Sequence, residues 1–268
     1  MNVIEITVRE KGQPAHTIDV EAKTFEEMTI AEWRRKMLGG DEGEADYETL
    51  ARVFDIDVST AMMLDRDKAG ELVDWYLGYV HNFERLNELS SEIQSEIETL
   101  AMEKDRQLTP AEVSKQSERL ILDEIMGYPV PKDLARDIVY WQWTELEQIL
   151  SRNREKPAVE VYAPILAILC LDEAERFSLC RDKDEDPDVY AERFMQWYQG
   201  RTAEMEEAKI SEALKVCAFF FFRDRQLGST IRRYFPSFPS WNVPSPQPEP
   251  SNSTSDGETS STSYTSEG

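Results

Sequence analysis

The chain of 268 residues has few of the side chains that most often carry out chemistry in proteins. It contains two histidines, His16 and His81, and neither has a cysteine or an acidic residue at metal-ligand spacing. Neither a Walker A pattern nor a G-x-G-x-x-G pattern occurs. These absences argue against a zinc site, a histidine-based triad and a nucleotide-binding loop. We therefore predict no catalytic, cofactor-binding or metal-binding residues, and no enzyme activity.

Cysteines and long apolar runs are also scarce. The three cysteines, Cys170, Cys180 and Cys217, are an odd number without paired or metal-like spacing, as is usual for reduced thiols. No stretch approaches the roughly 20 apolar residues that a membrane span requires. The N-terminal residues 1–6 lack the basic and apolar regions of a signal peptide. These features predict a cytoplasmic protein without membrane contact.

Basic residues are outnumbered, since 30 Lys and Arg stand against 53 Asp and Glu, giving a net charge of −23. Such a charge opposes contact with phosphate backbones, so we predict no nucleic-acid partner. Mimicry of DNA is disfavoured because the acids alternate with apolar residues at helical spacing. An enzyme with an acidic pocket stays open as an alternative, since so many carboxylates make any one pair uninformative.

Periodicity predicts a mainly α fold that begins with a small β-hairpin. Residues 3–9 and 17–20 alternate apolar and polar side chains around a turn at 12–14. Thr29 and Glu32 have the spacing of a capping box, which predicts a helix start at that point. Apolar residues at helical spacing dominate the rest of the chain up to about residue 225.

We predict a helical bundle of two lobes with a protruding helical hairpin between them and a disordered C-terminal tail. The N-terminal lobe covers 1–80, the hairpin 81–128 and the C-terminal lobe 129–235. In the hairpin, the second helix begins at Thr109 and is predicted to continue to Ile125. The remaining residues, 236–268, are rich in Ser, Thr and Pro, a composition typical of disorder.

The aromatic stripe at Leu72–Val80 has two interpretations. Aromatic residues at helical spacing usually belong to a core, whereas a ligand pocket also requires polar anchors. We therefore predict core rather than pocket here.

Four consecutive phenylalanines, Phe219–Phe222, close the last predicted helix, which covers 203–222. At 100° per residue, Phe220 and Phe221 continue the inward face, Phe222 lies at its margin and Phe219 points away. Either a second layer of the same chain covers Phe219, or its ring is an exposed partner contact. The candidate partner-binding residues are two of these phenylalanines and two aromatics on an earlier helix: Phe219, Phe222, Tyr140 and Trp143.

The elements follow a recognisable order. An N-terminal hairpin, the Trp-bearing helix 29–37 and an apolar helix with a break at Tyr47–Ile56 come first, followed by the segments Tyr140-Trp-Gln-Trp143 and Tyr162-Ala-Pro-Ile-Leu-Ala-Ile168 and the final helix ending in phenylalanines. This order resembles that of the tail assembly chaperones and related morphogenesis proteins of tailed bacteriophages. The resemblance covers residues 1–80 and 130–225 and contains no motif from which functional residues can be transferred.

The resemblance implies a non-catalytic protein that binds a tape measure protein and tail-tube subunits in the host cytoplasm. A structural component of the virion, such as a connector or packaged protein, is the first alternative. The enzyme with an acidic pocket is the second. The oligomeric state is not predicted.

Overall fold

The computed structural model describes residues 2–8, 14–41, 43–182 and 184–234, with the side chains of 135, 222 and 224–234 left out of that description. The protein is mainly α, as the sequence predicts. The strands are β1 (Asn2–Val8), β2 (His16–Ala22), β3 (Glu124–Ile125) and β4 (Tyr128–Pro129). The helices are α1 (Ile30–Trp33), α2 (Asp46–Phe54), α3 (Val58–Met62), α4 (Arg66–Glu103), α5 (Pro110–Gln116), α6 (Leu134–Asp137), α7 (Tyr140–Arg152), α8 (Tyr162–Leu169), α9 (Glu173–Ser178), α10 (Pro187–Met205) and α11 (Ile210–Tyr234).

The predicted β-hairpin is present, with β1 and β2 antiparallel from the pair Asn2–Ala22 to the pair Val8–His16. Ile4, Ile6 and Val8 are buried, while the residues between them face solvent. This alternation follows from the two-residue period of a strand, and it places one face of the ribbon on the core.

The helix α1 begins at the predicted capping box. Glu32 N donates to Thr29 Oγ1 at 3.2 Å, and Thr29 N donates to Glu32 Oε2 at 3.1 Å. A single π-helical turn, Arg34–Leu38, extends α1. The start of α1 also pairs with the turn between α10 and α11, because Ile30 N donates to Ala208 O at 2.9 Å. The N-terminal part of the chain is thereby fixed to its last helical pair.

The helix α4 has 38 residues and contains both the aromatic stripe at Leu72–Val80 and the first half of the predicted helical hairpin. Its second half packs against α5, whose capping box at Thr109 is also as predicted. The predicted extent of α5 is wrong, since this helix ends at Gln116 and not at Ile125. Ile125 instead pairs with Tyr128 across a two-residue turn, in which Met126 and Gly127 both have positive φ. Two such residues define the tight turn that suits a β-hairpin.

The last predicted helix also has different bounds. The helix α10 continues to Met205, and α11 begins at Ile210 and not at residue 203. No glycine or proline marks the turn at 206–209, so no local turn signal predicts it. The predicted disordered tail, 236–268, lies outside the described residues.

The main hydrophobic core draws buried side chains from both predicted lobes, from Ile4 to Phe220. The helix α8 is its centre, with every residue but Pro164 buried. The described residues up to Thr230 form one compact unit. The lobe boundaries therefore remain a prediction.

A second, smaller cluster lies under the helical hairpin. It consists of six buried residues, Ile93, Ile97, Val113, Leu120, Ala218 and Phe219. The last two belong to α11, so the hairpin packs against α11 through this cluster.

Candidate partner-binding surface

An apolar groove of about 310 Å³ lies between three segments that are distant in the sequence. These segments are the end of α1 with its π-helical turn, the middle of α4, and the 3-10 turn Ala158–Val161 that leads into α8. The lining residues are Trp33, Met37, Leu38, Tyr76, Val80, Phe83, Asn87, Pro157, Ala158, Val159 and Tyr162.

Aromatic rings form the inner wall of the groove. Trp33 stacks on Phe83 with ring centroids 4.6 Å apart and planes 17° apart. Phe25 meets the other side of Trp33 edge-on at 5.7 Å. Trp33 is buried and Phe83 is half-buried, so the stack is rigidly held at the base of the groove.

The rim of the groove stays open to solvent. Leu38 is 40% exposed, and Pro157 and Ala158 are exposed on the opposite wall. Isolated apolar residues at a surface are ordinary, but apolar residues that line one concave groove indicate a binding site.

Arg34 joins two walls of the groove. Its guanidinium is 3.1 Å from Glu160 Oε2, on the 3-10 turn, and it also donates to Glu206, next to the start of α11. Burial raises the pKa of the half-buried Glu206 carboxyl, and the charge of Arg34 offsets part of that rise. Because Arg34 follows Trp33 directly, this ion-pair cluster sets the position of the aromatic wall relative to the 3-10 turn.

The groove offers few polar groups to a ligand. Apart from Asn87 and the hydroxyls of Tyr76 and Tyr162, the lining side chains are apolar. Burial holds the pKa of Tyr162 well above its usual range, so this hydroxyl stays neutral. Sites for metabolites combine an apolar lining with several convergent polar groups that fix orientation. This groove is better suited to the apolar side chains of another protein.

Among the predicted partner-binding residues, Phe219 is buried, with 2% of its surface exposed. Its ring belongs to the cluster under the helical hairpin, which supplies the covering layer from the same chain. The structure thus agrees with the alternative in which a second layer covers this ring, and Phe219 is not accessible to a partner in this conformation.

Tyr140 and Trp143 do not form one surface with Phe219. Tyr140, at the start of α7, is 75% exposed. Trp143 is half-buried and packs on the main core, with its ring 6.0 Å from that of Phe220. The side chain of Phe222 lies outside the described residues.

A second concave region, of about 450 Å³, is polar and lies beside α2. Two of its three carboxylates, those of Glu44 and Glu48, already have structural roles. Glu44 accepts hydrogen bonds from Arg52, which lower the pKa of this carboxyl, and Glu48 caps the amide of Ala45 at 3.0 Å. Within the described part of the chain, no group of three or more His, Cys, Asp or Glu could hold a metal ion.

The groove was not predicted from the sequence, although part of the aromatic stripe at Leu72–Val80 lines it. Two residues of the aromatic stripe, Leu72 and Tyr79, are buried in the core as predicted. Tyr76 and Val80, from the same stripe, line the groove. No sequence pattern shows that residues 33–38 and 157–162 meet this face of α4.

Among the residues that the structure describes, no helix is long and apolar enough to cross a membrane. No protein-family model, curated protein or solved structure matches this chain.

Proposed function

We propose that this protein is a non-catalytic assembly factor that holds another protein through the apolar groove. The observation that carries the proposal is the lining of the groove, which combines a stacked aromatic wall with few polar groups. Protein interfaces place their energetically dominant contacts in such pockets, where an aromatic or aliphatic anchor is fully desolvated.

The finer proposal is a tail assembly chaperone of a tailed bacteriophage, with a tape measure protein or tail-tube subunits as partners. It is supported by the order of elements in the sequence and by the mainly α fold. The net charge of −23 suits a protein that keeps an apolar partner in solution. The structural virion component remains the alternative, and it uses the same groove.

Co-purification tests the groove with a pair of matched variants. Leu38→Gln makes the groove rim polar, and Met102→Gln makes the same kind of change at a residue that is 77% exposed and does not line the groove. The full chain is co-expressed with a tape measure protein, the partner that the proposal names. We expect Leu38→Gln to reduce recovery of that protein at least about fivefold, while Met102→Gln recovers wild-type amounts.

Absence of association by the wild-type chain at low salt would overturn the tail-chaperone proposal. Equal recovery by both variants would overturn the role of the groove. Purified particles separate the two assembly roles, because a chaperone is absent from them and a virion component is present in a fixed copy number.

A further inference from the structure

The surface of α4 next to the groove changes from apolar to acidic along the helix. Val73 and Leu77 are exposed at the end nearer the start of α4, and Glu84 and Glu88 are exposed about two and three turns beyond Leu77. At 100° per residue, Leu77, Glu84 and Glu88 lie within about 40° of one another. They form a strip beside the face that carries Tyr76 and Phe83.

The carboxylates of the two glutamates in this strip are available for contacts with another molecule. Glu84 and Glu88 make no ion pair or side-chain hydrogen bond within the described part of the chain, whereas Glu96, further along α4, pairs with Arg119 at 2.9 Å. Between Tyr76 and Glu88, α4 has these two glutamates and one basic side chain of fixed charge, Arg85, so the α4 side of the groove has a small excess of negative charge.

The opposite wall has no comparable excess of acidic residues. Glu155 and Lys156 are both exposed and precede Pro157, which lines that wall. Glu160, on the 3-10 turn, is paired with Arg34. A ligand with positive charge on one side only is thus oriented, since its basic side is attracted to α4.

The dimensions of the groove indicate the form of the ligand. Its lining residues on α4 run from Tyr76 to Asn87, and this stretch of helix extends over roughly 16 Å, about three turns. An amphipathic helix of similar length places apolar residues at i, i+3 or i+4 and i+7 into such a groove.

Given the proposed function, we infer that the partner segment is an amphipathic helix with an apolar face and a flank of Lys or Arg that pairs with Glu84 and Glu88. Apolar anchors supply the affinity, and the basic flank fixes the orientation of the helix.

Two synthetic helical peptides of 14 residues test this inference. Both carry Leu and Phe on one face, and one has Lys on the flank where the other has Gln. Binding to the full chain is measured by fluorescence anisotropy at about 150 mM salt, where charges further apart than roughly 8 Å are largely screened. We expect the Lys peptide to bind about three- to tenfold more tightly than the Gln peptide.

Substitutions identify the glutamates that are responsible. Glu84→Gln with Glu88→Gln is expected to remove most of the advantage of the Lys peptide. The control pair Glu173→Gln with Glu192→Gln changes the net charge equally, at two exposed positions on α9 and α10 that do not line the groove. This pair should change the affinity advantage of the Lys peptide by less than about twofold. If both pairs of substitutions reduce the advantage of the Lys peptide equally, or if neither pair reduces it, the charge inference is wrong.

Failure of the inference and failure of the proposed function give different results. If both peptides bind equally and Leu38→Gln weakens both, the groove binds apolar helices and only the basic flank is wrong. If neither peptide binds at about 1 mM, or if Leu38→Gln changes neither, the groove itself is not the binding site and both proposals fall.

Discussion

The groove and the cluster under the helical hairpin both gather apolar side chains around aromatic rings, and they differ in what covers them. The cluster contains Phe219 and is closed by α4 and α5 of the same chain. The groove contains Trp33 and Phe83 and is open on one side. A concentration of aromatic residues in a sequence therefore indicates packing, and only the fold shows whether the packing is complete within one chain.

The comparison is tested most strongly at Phe219. Phe219→Ala should lower the free energy of unfolding by about 3–5 kcal/mol, because it removes a buried ring and leaves a cavity. For a unit of this size the melting temperature would fall by roughly 6–20 °C. Urea unfolding and thermal melting measure both quantities.

Phe177→Ala is the matched control, since this ring is exposed on α9 and its loss should cost less than about 0.5 kcal/mol. Near wild-type stability of Phe219→Ala, accompanied by loss of partner binding, would show that Phe219 is a partner contact after all.

The two regions should also respond to pH in opposite directions. Hydrogen bonds from Arg106, then Lys104 and Thr109, lower the pKa of Glu112 at the hairpin turn. Its contribution to stability is present above its unfolded pKa and is lost as pH falls from that value through its folded pKa. Burial raises the pKa of Glu206 beside the groove, so its contribution is present below its unfolded pKa and is lost as pH rises through the folded value.

Urea unfolding between about pH 3.5 and pH 7 measures this difference in single variants. The stability of the wild type relative to Glu112→Gln should increase as pH rises, and its stability relative to Glu206→Gln should decrease. Slopes of the same sign for both variants would contradict the assigned environments.

The smallest effect on stability is expected at the groove rim. Leu38→Gln should change the free energy of unfolding by less than about 0.5 kcal/mol, because the side chain is already substantially exposed. Thermal melting of the purified variant provides the measurement. A loss of several kcal/mol would mean that Leu38 supports the core, and its effect on partner binding would then be indirect.

Local signals in the sequence were sufficient for much of the fold. The capping boxes at Thr29 and Thr109 fixed two helix starts because each satisfies backbone amides within four residues. The almost wholly apolar segment 161–171 became the buried helix α8. Helical phase also placed Phe220 in the core correctly.

The remaining features depend on contacts between distant residues. Helix propensity did not show that α5 ends at Gln116, because Leu120 and Ile125 keep apolar spacing while one joins the hairpin cluster and the other joins a strand. The groove needs residues about 120 positions apart, and Arg34 reaches Glu206 across an even longer separation. Periodicity within a short window carries no information on such pairs.

The length of α4 has a mechanical consequence. One uninterrupted helix supplies both a wall of the groove and half of the hairpin, so a rotation of this helix would move both regions together. From Asn87 to the end of α4 the distance is roughly 24 Å. A tilt of about 5° at the groove would displace the hairpin end by roughly 2 Å, which is comparable with the helix shifts of known conformational switches. A ligand that tilts α4 in this way would therefore also move the end of the helical hairpin.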